Sequence, residues 1–98
     1  MKITISEEAN RWFIEEMGLE KGDKVRFFGK LYGKTDVHDN FSVGMRLDEP
    51  EDILTQIELD GITYFIDKRD EWFFSGYDFE ITYDKENDDV IYRFVASN

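Results

Sequence analysis

Asp36, His38 and Asp39 crowd into one short stretch, and His38 is the chain's only histidine. A carboxylate beside an imidazole suits two kinds of chemistry. The pair can ligate a borderline divalent metal, or serve as a base and the group that orients it. If the backbone is extended through residues 35–38, Asp36 and His38 project from the same side. Asp36, His38 and Asp39 are therefore the candidate metal ligands, with iron(II), zinc or manganese as the ions to test. Against this stands a plain polar hairpin tip, which the same residues also suit, because three neighbours fall short of a full ligand set.

Other polar groups carry weaker signals. Asp84, Glu86, Asp88 and Asp89 alternate like part of a calcium loop. That loop wants glycine at its sixth position and glutamate at its twelfth, where Asp89 and Val95 stand, so a solvated turn is favoured. Asp48, Glu49, Glu51 and Asp52 surround the single proline, Pro50, and read as a charged loop, with a weak cation site or a docking patch for a basic partner as alternatives. There is no phosphate-binding loop, dinucleotide fingerprint or serine nucleophile elbow. With no cysteine, disulfides, thiolate metal sites and a cysteine nucleophile are excluded.

These residues need a scaffold. Strands are expected on both sides of a polar loop at 33–40. Val25, Phe27 and Leu31 share one face of the first; Phe41, Val43, Met45 and Leu47 share one face of the second. Phe28 breaks the alternation, which predicts cover on both sides. Before them, Ile3–Ile5 reads as a short strand and Glu7–Met17 as a helix. Ser6 is its N-cap, with Glu7 and Glu8 in the first turn. Gly18 sits at C′, with Leu19 placed to touch Ile14.

Further on, Asp60-Gly61 between alternating segments predicts a type I′ hairpin in which Leu59 opposes Ile62 and Ile57 opposes Tyr64. Asp67 is expected to cap a helical turn over 68–74 that turns Trp72 and Phe73 inward. Since Trp72, Phe73 and Phe74 cannot all be core from so short a turn, one should remain on the surface. Strands carrying Tyr77, Phe79, Ile81 and Tyr83, then Val90, Tyr92 and Phe94, close the chain around a turn at 85–88.

Ninety-eight residues suit one domain over 1–98. Aromatic residues at 16% help a small core, since each buried ring removes about 150–250 Å² from water. A net charge of −11 repels nucleic acid and anionic membranes. No apolar run reaches the length of a signal peptide or a membrane span. A cytoplasmic protein with neither nucleic-acid nor membrane partners is expected, its protein partner unnamed.

The order I-T-I-S-E-E-A, then strand, glycine-containing loop and strand ending in Asp48-Glu49-Pro50, then D-G-I-T-Y-F-I-D, resembles the HesB-like family, the A-type carriers of iron–sulfur assembly (IscA and its relatives). The segments R-F-F-G-K, F-S-V-G-M and E-W-F-F are similar to a small, acidic, cysteine-free branch of uncharacterised bacterial proteins in that family. The resemblance implies a mainly β (α+β) domain: a barrel-like arrangement of two folded mixed sheets, one N-terminal helix and a short second helix. It also implies that three cysteines are needed for cluster carriage. One would fall near Gly33-Lys34-Thr35-Asp36 and two after the last strand, and all are missing. No iron–sulfur cluster or other cofactor is expected. The chain therefore reads as a non-enzymatic HesB-like binding or adaptor protein linked to iron or iron–sulfur physiology by family association. The alternatives are the metal-dependent role for Asp36, His38 and Asp39, and an acidic decoy for basic partners.

Overall fold

A computed structural model describes residues 1–97. The chain runs β1 (Ile3–Ile5), α1 (Glu7–Met17), β2 (Lys24–Lys34), β3 (Asp39–Leu47), β4 (Ile53–Leu59) and β5 (Ile62–Asp67). A 3-10 turn (Lys68–Asp70) leads into α2 (Glu71–Phe74), followed by β6 (Tyr77–Asp84) and β7 (Asp89–Ala96). The strands form two mixed sheets, ordered β1-β6-β7 and β3-β2-β5-β4, with β1 parallel to β6 and β2 parallel to β5. This is the expected mainly β architecture with one leading helix and a short second one. Neither sheet closes on itself, so "barrel-like" describes it only loosely.

Helix α1 is specified by its ends. Ser6 is extended, and its Oγ accepts from the Ala9 amide at 3.1 Å, a cap typically worth about 1 kcal/mol. Gly18 turns left-handed at φ 63°, and the amides of Gly18 and Leu19 both return to the Ile14 carbonyl. One face of the helix buries Ala9 and Phe13. Asn10 is also buried there. Its Nδ2 donates to Asp60 Oδ2 at 2.8 Å, and its Oδ1 accepts from Tyr64 Oη at 2.6 Å. A polar group inside a core must find such partners, and these two tie the helix to the β4–β5 turn.

The sheets meet through aromatic rings. Phe27 stacks on Tyr64 within the four-stranded sheet and meets Phe79 of the other edge-on, with centroids 5.4 Å apart; Phe13 of α1 packs on both Phe27 and Tyr64. At the β4–β5 hairpin, Asp60 and Gly61 take φ 52° and 80°, and Leu59↔Ile62 and Ile57↔Tyr64 are paired as the alternation required.

Three local expectations change. The loop expected at 33–40 shrinks to 35–38, because β2 and β3 continue past Leu31 and Phe41. Asp67 precedes the 3-10 turn but makes no capping bond; its carboxylate is taken by other amides and an arginine. In α2 it is Phe73 and Phe74 that are buried, while Trp72 stays 57% exposed. A four-residue helix can turn only two consecutive rings inward.

Candidate functional site

The four residues joining β2 to β3 form a tight turn instead of an extended run. The Thr35 amide donates to the His38 carbonyl at 3.1 Å, and Thr35 Oγ1 accepts from the amides of Val37 and His38. Thr35 Oγ1 also lies 2.7 Å from His38 Nδ1. With its lone pairs taken by two amides, the hydroxyl has its proton left to give. It is therefore the donor wherever Nδ1 carries no proton.

The turn folds the imidazole inward. His38 stacks on Phe73 with centroids 4.1 Å apart and meets Phe94 edge-on at 5.1 Å. Asp36 and Asp39 remain exposed on the outside. Among the described residues no three His, Cys, Asp or Glu side chains converge as a metal-ligand set. Beside the turn, Lys34, Thr35, Asp36, Ser42, Val43 and Tyr92 line a shallow cleft of about 370 Å³.

Just before the turn lies a bulge at Gly33, a glycine whose place in the sequence permits one. Leu31 pairs with Phe41 and Lys34 with Asp39, so Tyr32 and Gly33 together oppose Asn40. All three have positive φ: 75°, 98° and 72°. An L-residue in the left-handed region costs roughly 1–2 kcal/mol, and for an aromatic side chain it is an outlier. The bulge is held in place. Ser42 Oγ donates to the Tyr32 carbonyl at 2.9 Å, and a Cβ on Gly33 would sit 2.8 Å from the Ser42 Cβ. Tyr32 is 82% exposed and Leu31 63%. Leu31 adjoins Phe41, whose ring meets Trp72 edge-on at 5.3 Å. Leu31 and Trp72 thus flank Phe41, and Tyr32 follows Leu31 in the chain. Tyr-Gly inside a strand was the only hint of this in the sequence, and a glycine there is the usual mark of a bulge.

The acidic stretch around Pro50 is absorbed into an ion-pair lock. Arg26 Nε and Nη2 donate to the two oxygens of Asp70, each at 2.8 Å, and Nη1 donates to Asp48 at 3.1 Å. Asp67, fully buried, accepts from the amides of Glu51 and Asp52 at 3.0 and 2.7 Å and from Arg69 Nε at 2.9 Å. Arg69 also pairs with Glu51. Hydrogen bonding to Asp70 holds the Arg26 guanidinium well above its ordinary value, against the cost of burial. The Arg26 bond holds Asp48 below the usual carboxylate range. Burial pushes Asp67 up, but its two amides and Arg69 outweigh that and bring it down. The guanidinium groups of Arg26 and Arg46 lie 5.2 and 5.4 Å from the Phe28 ring centroid, which explains why Phe28 broke the alternation. With its buried carboxylates committed to arginines and amides, the cluster serves as a lock.

The turn at 85–88 is likewise self-satisfied. Asp84 accepts from the Glu86 amide and the Asn87 side chain. Tyr83 donates to Asp88, which pushes its phenol up to about 12.

The chain is similar along nearly its whole length to the pyruvate dehydrogenase inhibitor of Bacillus subtilis (strain 168): 38% identical over 94 residues, covering 96% of this chain and 99% of that protein. The chain belongs to the family of that inhibitor. An uncharacterized protein of Staphylococcus saprophyticus is a further relative in the family, 33% identical over 95 residues, covering 94% of this chain and 97% of its own. One from Staphylococcus haemolyticus is similar at 28%. No protein-family model matches the chain. Among solved structures, Escherichia coli SufA, involved in biosynthesis of iron–sulfur clusters, superposes with a TM-score of 0.60 at 20% identity, covering 97% of this chain and 80% of SufA. The HesB-like fold is therefore shared; at that identity the likeness is one of fold alone. The donor set does not fit a cluster, since the chain has no thiolate to offer and the loop near Lys34 and Thr35 supplies none. Among the described residues no helix is long and apolar enough to cross a membrane.

Proposed function

We propose that this protein is a small non-enzymatic binding protein that inhibits a pyruvate dehydrogenase by docking on it. The observation that carries this is the end-to-end likeness to the Bacillus subtilis inhibitor, which leaves almost none of either chain unmatched. The arrangement of polar groups is compatible with it. The ion-pair cluster and the His38 turn each satisfy themselves internally, while large apolar side chains stand exposed at the end of the β2–β3 ribbon. Inhibition by occupancy needs a contact surface, and the exposed apolar side chains are compatible with one.

The test is an activity assay of a purified bacterial pyruvate dehydrogenase complex, followed by NADH formation as this protein is added. A dose-dependent, saturable loss of rate supports the proposal. Full activity at a large molar excess overturns it. An association with iron or iron–sulfur physiology rests on shared fold alone, and fold does not fix function. That the chain carries no cluster is tested separately: anaerobic incubation with iron(II) and sulfide should give no stable cluster absorption, and a robust cluster would reject it.

A further inference from the structure

The bulge in β2 is costly and well supported, yet it does nothing for the core. Tyr32 takes a backbone conformation that suits glycine or asparagine, while its ring lies 82% in solvent. Gly33 is packed against Ser42 too closely for any Cβ, and Ser42 fixes the Tyr32 carbonyl. Strain held in place by surrounding structure is characteristic of functional positions. Tyrosine and tryptophan are enriched among the residues that carry most of the binding energy of a protein interface.

The charge of this region is also distinct. Strands β2 and β3 and the turn between them carry Lys24, Arg26, Lys30, Lys34 and Arg46 against two acids, Asp36 and Asp39, on a chain whose net charge is −11. Lys24, Arg26 and Arg46 are paired with Glu49, Asp70 and Asp48. Lys30 and Lys34, which bracket Leu31, Tyr32 and Gly33, are exposed and make no ion pair among the described residues.

We propose that this ribbon end, with Tyr32 as anchor and Leu31 and Trp72 beside it, is the surface that docks on the enzyme, and that the enzyme receives it in an apolar slot rimmed by carboxylates. The inference rests on the inhibitory role proposed above and gives it a surface. Apolar area at the centre supplies the affinity. Lys30 and Lys34 at the rim steer the approach and favour an acidic rim over a basic one.

The decisive variant is Tyr32→Asn, because asparagine suits a left-handed backbone. Its thermal midpoint should equal or exceed that of the parent, while inhibition of the pyruvate dehydrogenase complex weakens by about 30-fold, as for loss of a hot-spot aromatic. Leu31→Ser, at a position that is also exposed, should weaken inhibition without loss of fold. Lys30→Glu with Lys34→Glu should slow association, most strongly at low salt. If the parent inhibits and both Tyr32→Asn and Leu31→Ser inhibit equally well, the docking surface is wrong and the inhibitory role stands. If the parent itself neither binds nor inhibits the complex, the inhibitory role fails and the docking surface falls with it.

Discussion

His38 lies nearly flat on Phe73, their planes 17° apart and their centroids at 4.1 Å, while Thr35 holds the Nδ1 side of the ring. The only imidazole of the chain is thereby a packing element of the β2–β3 turn. His38→Ala removes both the stack and the Thr35 bond. A loss of about 1–2 kcal/mol is expected in urea unfolding, from one aromatic contact and one hydrogen bond.

The proposal that Asp36, His38 and Asp39 bind a metal separates from this on titration. Calorimetry with zinc, repeated on His38→Ala, would show saturable heat in the parent and none in the variant if the three act as ligands. If His38 serves the stack alone, neither protein gives saturable heat, and His38→Ala differs only in stability.

Asp70→Ala should be among the most damaging substitutions. It strands the Arg26 guanidinium, whose side chain is 11% exposed, without its bidentate partner. Removing one side of a buried ion pair costs about 3–5 kcal/mol. Asp48→Ala leaves that bidentate pair intact and should shift the midpoint less. Thermal melts of the two variants at one pH decide the order.

Stability should fall at both ends of the pH range. Asp48 and Asp67 titrate below the usual carboxylate range in the folded chain. Their contribution is present above an unfolded carboxylate value of about 3.9 and is lost as pH falls through their lower folded values. Tyr64 is raised by burial and by Asp60, and Tyr92 by burial and by Asp89. Their contribution is intact below about pH 10, the ordinary phenol value, and is lost as pH rises beyond it. Denaturation midpoints measured from pH 2 to 12 should trace this plateau, and Asp67→Asn should flatten its acid edge.

Gly29→Ala tests how the hairpin rests on α2. A Cβ there would meet the Phe73 ring at 2.7 Å and Trp72 at 3.0 Å. Phe73 is buried between His38 and Phe74, so the ring has little room to yield. Overpacking of this kind costs about 1–3 kcal/mol. The same melt should show it, along with a change in tryptophan fluorescence from Trp72.

Elements written in short-range code were legible in the sequence. Ser6, Gly18 and Leu19 define α1 through contacts within five residues of one another or of the helix ends. Asp60-Gly61 sets the β4–β5 register by the twist that a type I′ turn imposes. What stayed hidden depends on distant partners. Nothing near Arg26 announces Asp70, 44 residues away, nor near Asn10 announces Tyr64, 54 away. The candidate site shows the same division. Its loop drew attention through composition, but the inward turn of His38 depends on Phe73 and Phe94. The prominence of Tyr32 depends on a bulge whose partner, Asn40, lies on the other strand.

The parallel pairing of β1 with β6 joins Ile3 to Phe79 and Ile5 to Ile81. A nascent chain emerging from the ribosome would hold β1 idle until residues 6–78 had followed it. Local helix and hairpin can form early, but the three-stranded sheet assembles only by closing a very large loop. Such topologies fold in roughly milliseconds to seconds, well short of microsecond speeds. During synthesis, then, the apolar segment Ile3–Ile5 must wait without its partner, open to mispairing for that interval.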